Sequence, residues 1–283
     1  MNNPGNIVFI TGSFVSNNCW DAWQLFFRDH GYKTLAPSWP FKKGSAEDQR
    51  CKHPSNNPDL TRLTLNELTT YYENIVKSYK EKPIVIGHSM GGLITQILVN
   101  RGLVAAGVAI HSVQPAGIFP YEFPLLRLGL KFLGLFSSQN RTYLMSFKDW
   151  QYGFANGMPL EEQKTTYKNY CIPESKRVNL GSLGAAARVD FSQSHVPLLF
   201  ISGSNDNIIS AHLNWRNYRA YKAAGSVTDY RELPGRTHFV LGQSTWREDA
   251  GFILDWLDCR LPVADATKPD VLHTTVLRTL HSS

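Results

Sequence analysis

The sequence predicts an α/β fold: a mostly parallel central sheet flanked by helices, with a helical cap insertion. Three observations carry this reading. Short apolar runs, Ile7-Val8-Phe9-Ile10, Ile84-Val85-Ile86, Gly107-Val108-Ala109-Ile110 and Leu198-Leu199-Phe200-Ile201, alternate with stretches of helical periodicity. The second run passes directly into Gly87-His88-Ser89-Met90-Gly91-Gly92 and then an apolar helical pattern, a strand turning tightly into a helix. The alternation stops between about 112 and 190, where prolines and aromatics replace strand patterns, and resumes at Pro197.

Each element has a local reason. The run at 7–10 is the first strand; 20–30 fits a helix stopped by Gly31. Thr34-Leu35-Ala36-Pro37 reads as a strand, followed by a long polar loop through about Asn57. Leu65, Leu68, Tyr72, Ile75 and Tyr79 share one helical face. After the strand at 84–86 a helix runs to about Arg101, and the strand 107–110 follows. Pro115, Gly117, Pro120 and Pro124 open the insertion, which continues through the apolar stretch 125–136 to Tyr143, Phe147, Trp150, Tyr152 and Phe154. The strand at 197–203, a helix over 213–224, a strand over 229–234 and an amphipathic helix marked by Trp246, Ala250, Ile253 and Leu257 complete the core. The expected division is a core of 1–112 and 191–260, a cap of 113–190, and a tail of 261–283 without strong periodicity.

The turn at Ser89 carries the chemistry. A strand-to-helix turn this tight forces strained backbone on the serine and leaves no room for side chains two residues to either side, a demand that Gly87 and Gly91 meet. The hydroxyl then stands above the sheet edge at a helix N-terminus, where developing negative charge is favoured. A serine hydroxyl needs a base, and the base an orienting acid. Asp206 follows the strand 197–203 and His238 follows the strand 229–234, both just past strand carboxyl ends, where open α/β sheets build their sites. Asp190 precedes the strand at 197–203 and Asp229 starts the strand at 229–234, so both belong to the opposite end. Asp206 also has a plainer role available, capping the helix that begins near Ser210. His88 reads as packing, His111 follows a strand and is a pocket candidate, and His30, His53, His195 and His212 carry no pattern.

With the Ser89 turn, the Gly203-Ser204-Asn205-Asp206 loop and the Gly235-Arg236-Thr237-His238 loop in that chain order, residues 6–258 resemble the α/β-hydrolase superfamily, in the branch of small esterases and haloperoxidase-like enzymes. The resemblance implies Ser89 as nucleophile, His238 as base and Asp206 as orienting acid. It also implies an oxyanion hole from the amides of Met90 and of the loop after the first strand, Thr11-Gly12-Ser13-Phe14. Relatives usually carry His-Gly there; Thr11 replaces the histidine here, and Ser13 is the expected donor, ahead of Phe14. The insertion resembles the cap of this fold; Phe147, Trp150 and Tyr152 within it, with Phe14 and His111 of the core loops, are the expected substrate contacts.

Composition narrows the alternatives. The 283 residues carry a formal charge of +6 with basic residues scattered, which argues against nucleic-acid binding. Four widely spaced cysteines, Cys19, Cys51, Cys171 and Cys259, form no metal or redox motif and fit free thiols in a cytoplasmic protein. No secretory leader is visible before the first strand, and no apolar stretch reaches the roughly 20 residues of a membrane span. The expected activity is hydrolysis of a small apolar or aromatic carboxylic ester, lactone or thioester through an acyl-enzyme, with neither metal nor organic cofactor. Alternatives are a cofactor-free lyase resembling the hydroxynitrile lyases, and a small-molecule receptor without turnover. A serine at the turn argues against epoxide hydrolase and dehalogenase chemistry, which place a carboxylate there. Oligomeric state has no signature in the sequence.

Overall fold

The computed structural model describes residues 5–55, 57–121, 132–133 and 138–261. In chain order the strands are β1 (Asn6–Ile10), β2 (Lys33–Leu35), β3 (Ile84–His88), β4 (Ala106–Ile110), β5 (Leu198–Gly203) and β6 (Thr228–Leu233). They form one sheet of order β2-β1-β3-β4-β5-β6 in which every pairing is parallel. Parallel neighbours need crossovers, and the helices supply them. These are α1 (Asp21–Asp29), α2 (Ala46–Cys51), α3 (Pro58–Arg62), α4 (Leu65–Lys77) and α5 (Met90–Asn100) before β4. Between β4 and β5 lie α6 (Phe147–Gly153), α7 (Leu160–Tyr170) and α8 (Lys176–Gly181); α9 (Ala211–Ala220) and α10 (Trp246–Arg260) follow.

Strand residues alternate between two hydrophobic layers, as the period of two requires. Ile7, Phe9, Ile86, Val108 and Ile110 pack with Trp23 and Phe27 of α1 and with Ile253 and Leu257 of α10. Val8, Ile10, Val85 and Ala109 pack with Leu68 and Tyr72 of α4 and with Ile94 and Ile97 of α5. Both faces of β3 and β4 are covered, which is why those strands read as unbroken apolar runs.

Local signals explain most boundaries. Thr64 and Glu67 form a capping box that starts α4. A second one, Ser45 with Asp48, nucleates α2 inside the stretch read from sequence as one long polar loop, so that reading is corrected. The helix expected over 213–224 runs instead from Ala211 to Ala220, with Ser210 accepting the Leu213 amide as its N-cap. Asp206 is therefore not that cap. The tail beyond residue 261 and the stretches 122–131 and 134–137 of the expected cap lie outside the described residues.

The β3–α5 turn is held by close backbone approach. Ser89 adopts φ 55° and ψ −115°, a strained region for a residue with a side chain. Its N–H donates to Ile110 O (2.9 Å) and its carbonyl accepts from Val113 N (3.0 Å), which pins the turn against the end of β4. A Cβ at Gly91 would lie 2.1 Å from Ile10 O, and one at Gly87 2.1 Å from Gly91 O. Because the obstacles are backbone atoms, they cannot step aside. Gly91→Ala is expected to separate β1 from α5 at a cost of at least about 1–3 kcal/mol, read as a Tm lowered by several degrees in a thermal melt. An unchanged Tm would contradict this packing.

Candidate active site

Three loops at the carboxyl ends of β3, β5 and β6 bring Ser89, Asp206 and His238 together. His238 Nδ1 lies 2.7 Å from Asp206 Oδ2, and its Nε2 lies 3.0 Å from Ser89 Oγ. The carboxylate can only accept, so Nδ1 carries the proton and Nε2 is left to accept from the serine hydroxyl. Asp206 Oδ1 accepts from the amides of Ile208 (2.7 Å) and Ile209 (2.8 Å). Burial works against the charged carboxylate, but the attraction of His238 and the contacts of both His111 and His238 outweigh it and hold Asp206 well below the usual carboxylate range. The other two aspartates weighed from sequence are elsewhere: Asp229 accepts from Trp256 and Arg260, and Asp190 accepts from Ser192.

Two further histidines brace this group. His88 Nε2 donates to the His238 carbonyl (2.7 Å), so the side chain read as packing also clamps the backbone of its neighbour. Burial, then the nearby His238 and His111, push its imidazole well below the ordinary histidine value, which keeps it neutral. His111, at φ 46° just past β4, brings Nδ1 to 2.8 Å from the same Asp206 Oδ2, though neither ring nitrogen is aligned for a hydrogen bond. Nitrogens of His88, His111 and His238 lie within 4.8 Å of one another, close enough to consider a cation site. His88 Nε2 and both nitrogens of His238 are already engaged, so seating a cation there would break the contact with Ser89 or with Asp206.

The loop after β1 passes directly beneath the serine: a Cβ on Gly12 would come 2.7 Å from Ser89 Cβ. Phe14, at φ 67°, donates its amide to Glu174 Oε2 (3.1 Å), which removes it as a donor toward Ser89. The adjacent Ser13 and the first residue of α5, Met90, line the same cavity as Ser89 and His238. Glu174 is fully buried and forms an ion pair with Lys42, whose ammonium also sits 3.7 Å over the Trp39 ring. Trp39 in turn donates to Thr11 O (3.1 Å). Burial pulls Lys42 below the usual lysine value while Glu174 resists it. The loop is thus fastened by a desolvated ion pair that has no local signature, since its members lie far apart in the chain.

The cavity above Ser89 has a volume of about 150 Å³ and a mainly apolar lining, including Phe14, Val113, Phe132, Leu133, Phe154, Ile208 and Ile209. Of the pocket residues expected from sequence, only Phe14 lines it; His111, Phe147, Trp150 and Tyr152 do not. Trp150 is fully buried against Phe154, Tyr167 and Phe239, and Phe147 packs on Tyr167. Tyr152 packs against the hydrophobic layer, and its carbonyl accepts from Asn207, the neighbour of Asp206. Phe154, one turn past Trp150, takes the place expected of them and sets its ring edge-on to His238 at 4.8 Å.

A family model described as the alpha/beta hydrolase family matches residues 7–249. The chain belongs to the α/β-hydrolase family. Among solved structures it is similar to polyneuridine aldehyde esterase at 14% identity and TM-score 0.65, over 89% of this chain and 98% of that one. A monoacylglycerol lipase from Paleococcus ferrophilus matches at 17% identity and TM-score 0.64, over 92% and 96% of the two chains. A pyrethroid hydrolase from Sphingobium faniae JZ-2 matches at 18% and 0.60, over 90% and 97%. These likenesses establish the shared fold. Comparison with curated proteins returns no match.

Lys42→Met leaves Glu174 as an unpaired buried charge. Urea unfolding is expected to show a loss of about 3–5 kcal/mol, part of which the double variant Lys42→Met/Glu174→Leu recovers. Equal stability of Lys42→Met and wild type would show that the pair does not hold the loop.

Proposed function

We propose that this protein is a serine hydrolase of carboxylic esters, or of the related lactones and thioesters, with Ser89 as nucleophile, His238 as general base and Asp206 as the residue that orients and charges the imidazole. The observation that carries the reading is the unbroken hydrogen-bonded line from Ser89 Oγ through both nitrogens of His238 to Asp206, ending at the floor of an apolar cavity.

The chemistry follows from the geometry. His238 Nε2 takes the hydroxyl proton as Ser89 Oγ attacks the carbonyl carbon, and the buried Asp206 carboxylate stabilises the imidazolium that forms. The amides of Met90 and Ser13 hold the oxyanion; Phe14, the other candidate, has its amide committed to Glu174. His238 returns the proton to the departing alcohol. It then removes a proton from the water that attacks the acyl carbonyl and gives it to Ser89 Oγ as the acid is released. Every step uses only protein groups and water.

We take 113–190 as the cap over a core of 1–112 and 191–260. Phe132, Leu133, Phe154, Asn179 and Leu183 of this segment roof the cavity, exclude water and favour a small substrate with an apolar body. The solved relatives named esterase, lipase and pyrethroid hydrolase fit this reading. The four unpaired cysteines fit a cytoplasmic setting. Among the described residues no helix is long and apolar enough to cross a membrane.

The test is turnover of a chain-length and aromatic series of p-nitrophenyl esters and lactones. Ser89→Ala is expected to lower kcat by about four orders of magnitude or more on every substrate accepted. A residual kcat within tenfold of wild type would remove Ser89 as nucleophile.

A further inference from the structure

The cavity above Ser89 is not uniformly apolar, and its polar side chains differ in one respect. Ser13 Oγ donates to Asn179 Oδ1 (2.7 Å), Asn179 Nδ2 donates to Phe132 O (3.4 Å), and Ser182 Oγ donates to Asn179 O (2.7 Å). Ser89 and His238 are engaged with each other. Each of these groups is already satisfied within the protein. Gln114 is the exception. It is 6% exposed, lines the cavity four residues past β4, and its Oε1 is sealed from solvent with no donor in reach. Of the buried side chains with an unpartnered polar atom among the described residues, it alone lines this cavity.

The backbone that carries Gln114 is held from several sides. Val113 N donates to Ser89 O (3.0 Å), and Gln96 Nε2 donates to Ser112 Oγ (2.7 Å) and Val113 O (3.3 Å). Tyr221 in turn donates to Gln96 Oε1 (3.0 Å). A carboxamide oxygen placed on so fixed a segment and left without a donor costs free energy unless something else completes it. The broad two-fold torsion at the end of the side chain allows the carbonyl to turn to an occupant of the cavity.

We infer that Gln114 is a specificity-determining residue whose carbonyl accepts a hydrogen bond from the substrate, so that the preferred ester carries, on an otherwise apolar body, one hydroxyl or N–H donor away from the scissile bond. This rests on the esterase reading for the identity of the reacting bond, but the complementarity of the cavity stands on Gln114 itself. A cavity built around a buried hydrogen-bonding group discriminates strongly against the analogue that leaves that group unpaired, far more than an apolar wall discriminates between analogues differing by one methylene.

Matched esters decide it: methyl phenylacetate against its 2-, 3- and 4-hydroxyphenyl counterparts, with release of the acid followed by chromatography. Wild type is expected to show at least a tenfold higher kcat/KM for one hydroxylated isomer than for the parent. In Gln114→Met and Gln114→Leu that ratio is expected to fall to near one, whereas Gln114→Glu, which keeps an acceptor, retains a preference. The same pairs are titrated calorimetrically against Ser89→Ala and Ser89→Ala/Gln114→Met, so binding preference is read without turnover. Absence of hydrolysis together with an intact, Gln114-dependent binding preference would overturn the esterase reading and keep this one. Hydrolysis or binding with no preference for any hydroxylated isomer, or a preference that survives in Gln114→Met and Gln114→Leu, would overturn the role of Gln114.

Discussion

The buried charge of Asp206 is the constraint around which this end of the molecule is organised. A carboxylate withdrawn from water is tolerable only when its lone pairs are met. Two amides of the loop that follows it, Ile208 and Ile209, bind one oxygen, and the imidazoles of His238 and His111 crowd the other. That demand fixes the loop after β5, sets the ring orientation of His238, and so fixes which nitrogen faces Ser89. Because the folded carboxyl lies below its unfolded value, the stability it contributes is fully present above the ordinary carboxylate range, near pH 4. It is lost as pH falls through the lowered folded value.

The same logic of buried polarity recurs on the other side of the serine. Gly12 must pass against Ser89, and a loop that close would be free to shift were it held only by apolar contact. Glu174, from the segment between β4 and β5, reaches under it to take the Phe14 amide and the Lys42 ammonium. Ile172 N also donates to Phe14 O, and Ser16 N to Tyr170 O. The segment between β4 and β5 is therefore wired into the loop beneath Ser89 and also lines the cavity above it. Changes in its packing should reach the geometry of the proposed oxyanion donors without touching substrate.

What could be read from the chain alone depended on how local the cause was. The β3–α5 turn was legible because its demands fall on adjacent residues: an apolar run, then glycines flanking Ser89. The placement of Asp206 and His238 near it followed from the rule that parallel sheets gather loops at one end. The aromatics of α6 were legible as apolar but not as to direction. Trp150 turns inward under Phe154 and Phe239, and only Phe154 reaches His238, an outcome set by how the helix docks. Gln114, Asn179 and the Lys42–Glu174 pair had no sequence signal, because their meaning comes from partners and a cavity assembled by distant segments.

Covalent labelling tests the proposed chemistry at its centre. A fluorophosphonate requires a serine oxygen activated by a base and an oxyanion site able to hold its phosphoryl oxygen. Incubation at neutral pH followed by intact-mass and peptide analysis is expected to show a single adduct on Ser89, formed at a rate that collapses when His238 is replaced by alanine. No adduct on folded protein, or an adduct on another residue with Ser89 unmodified, would contradict the account.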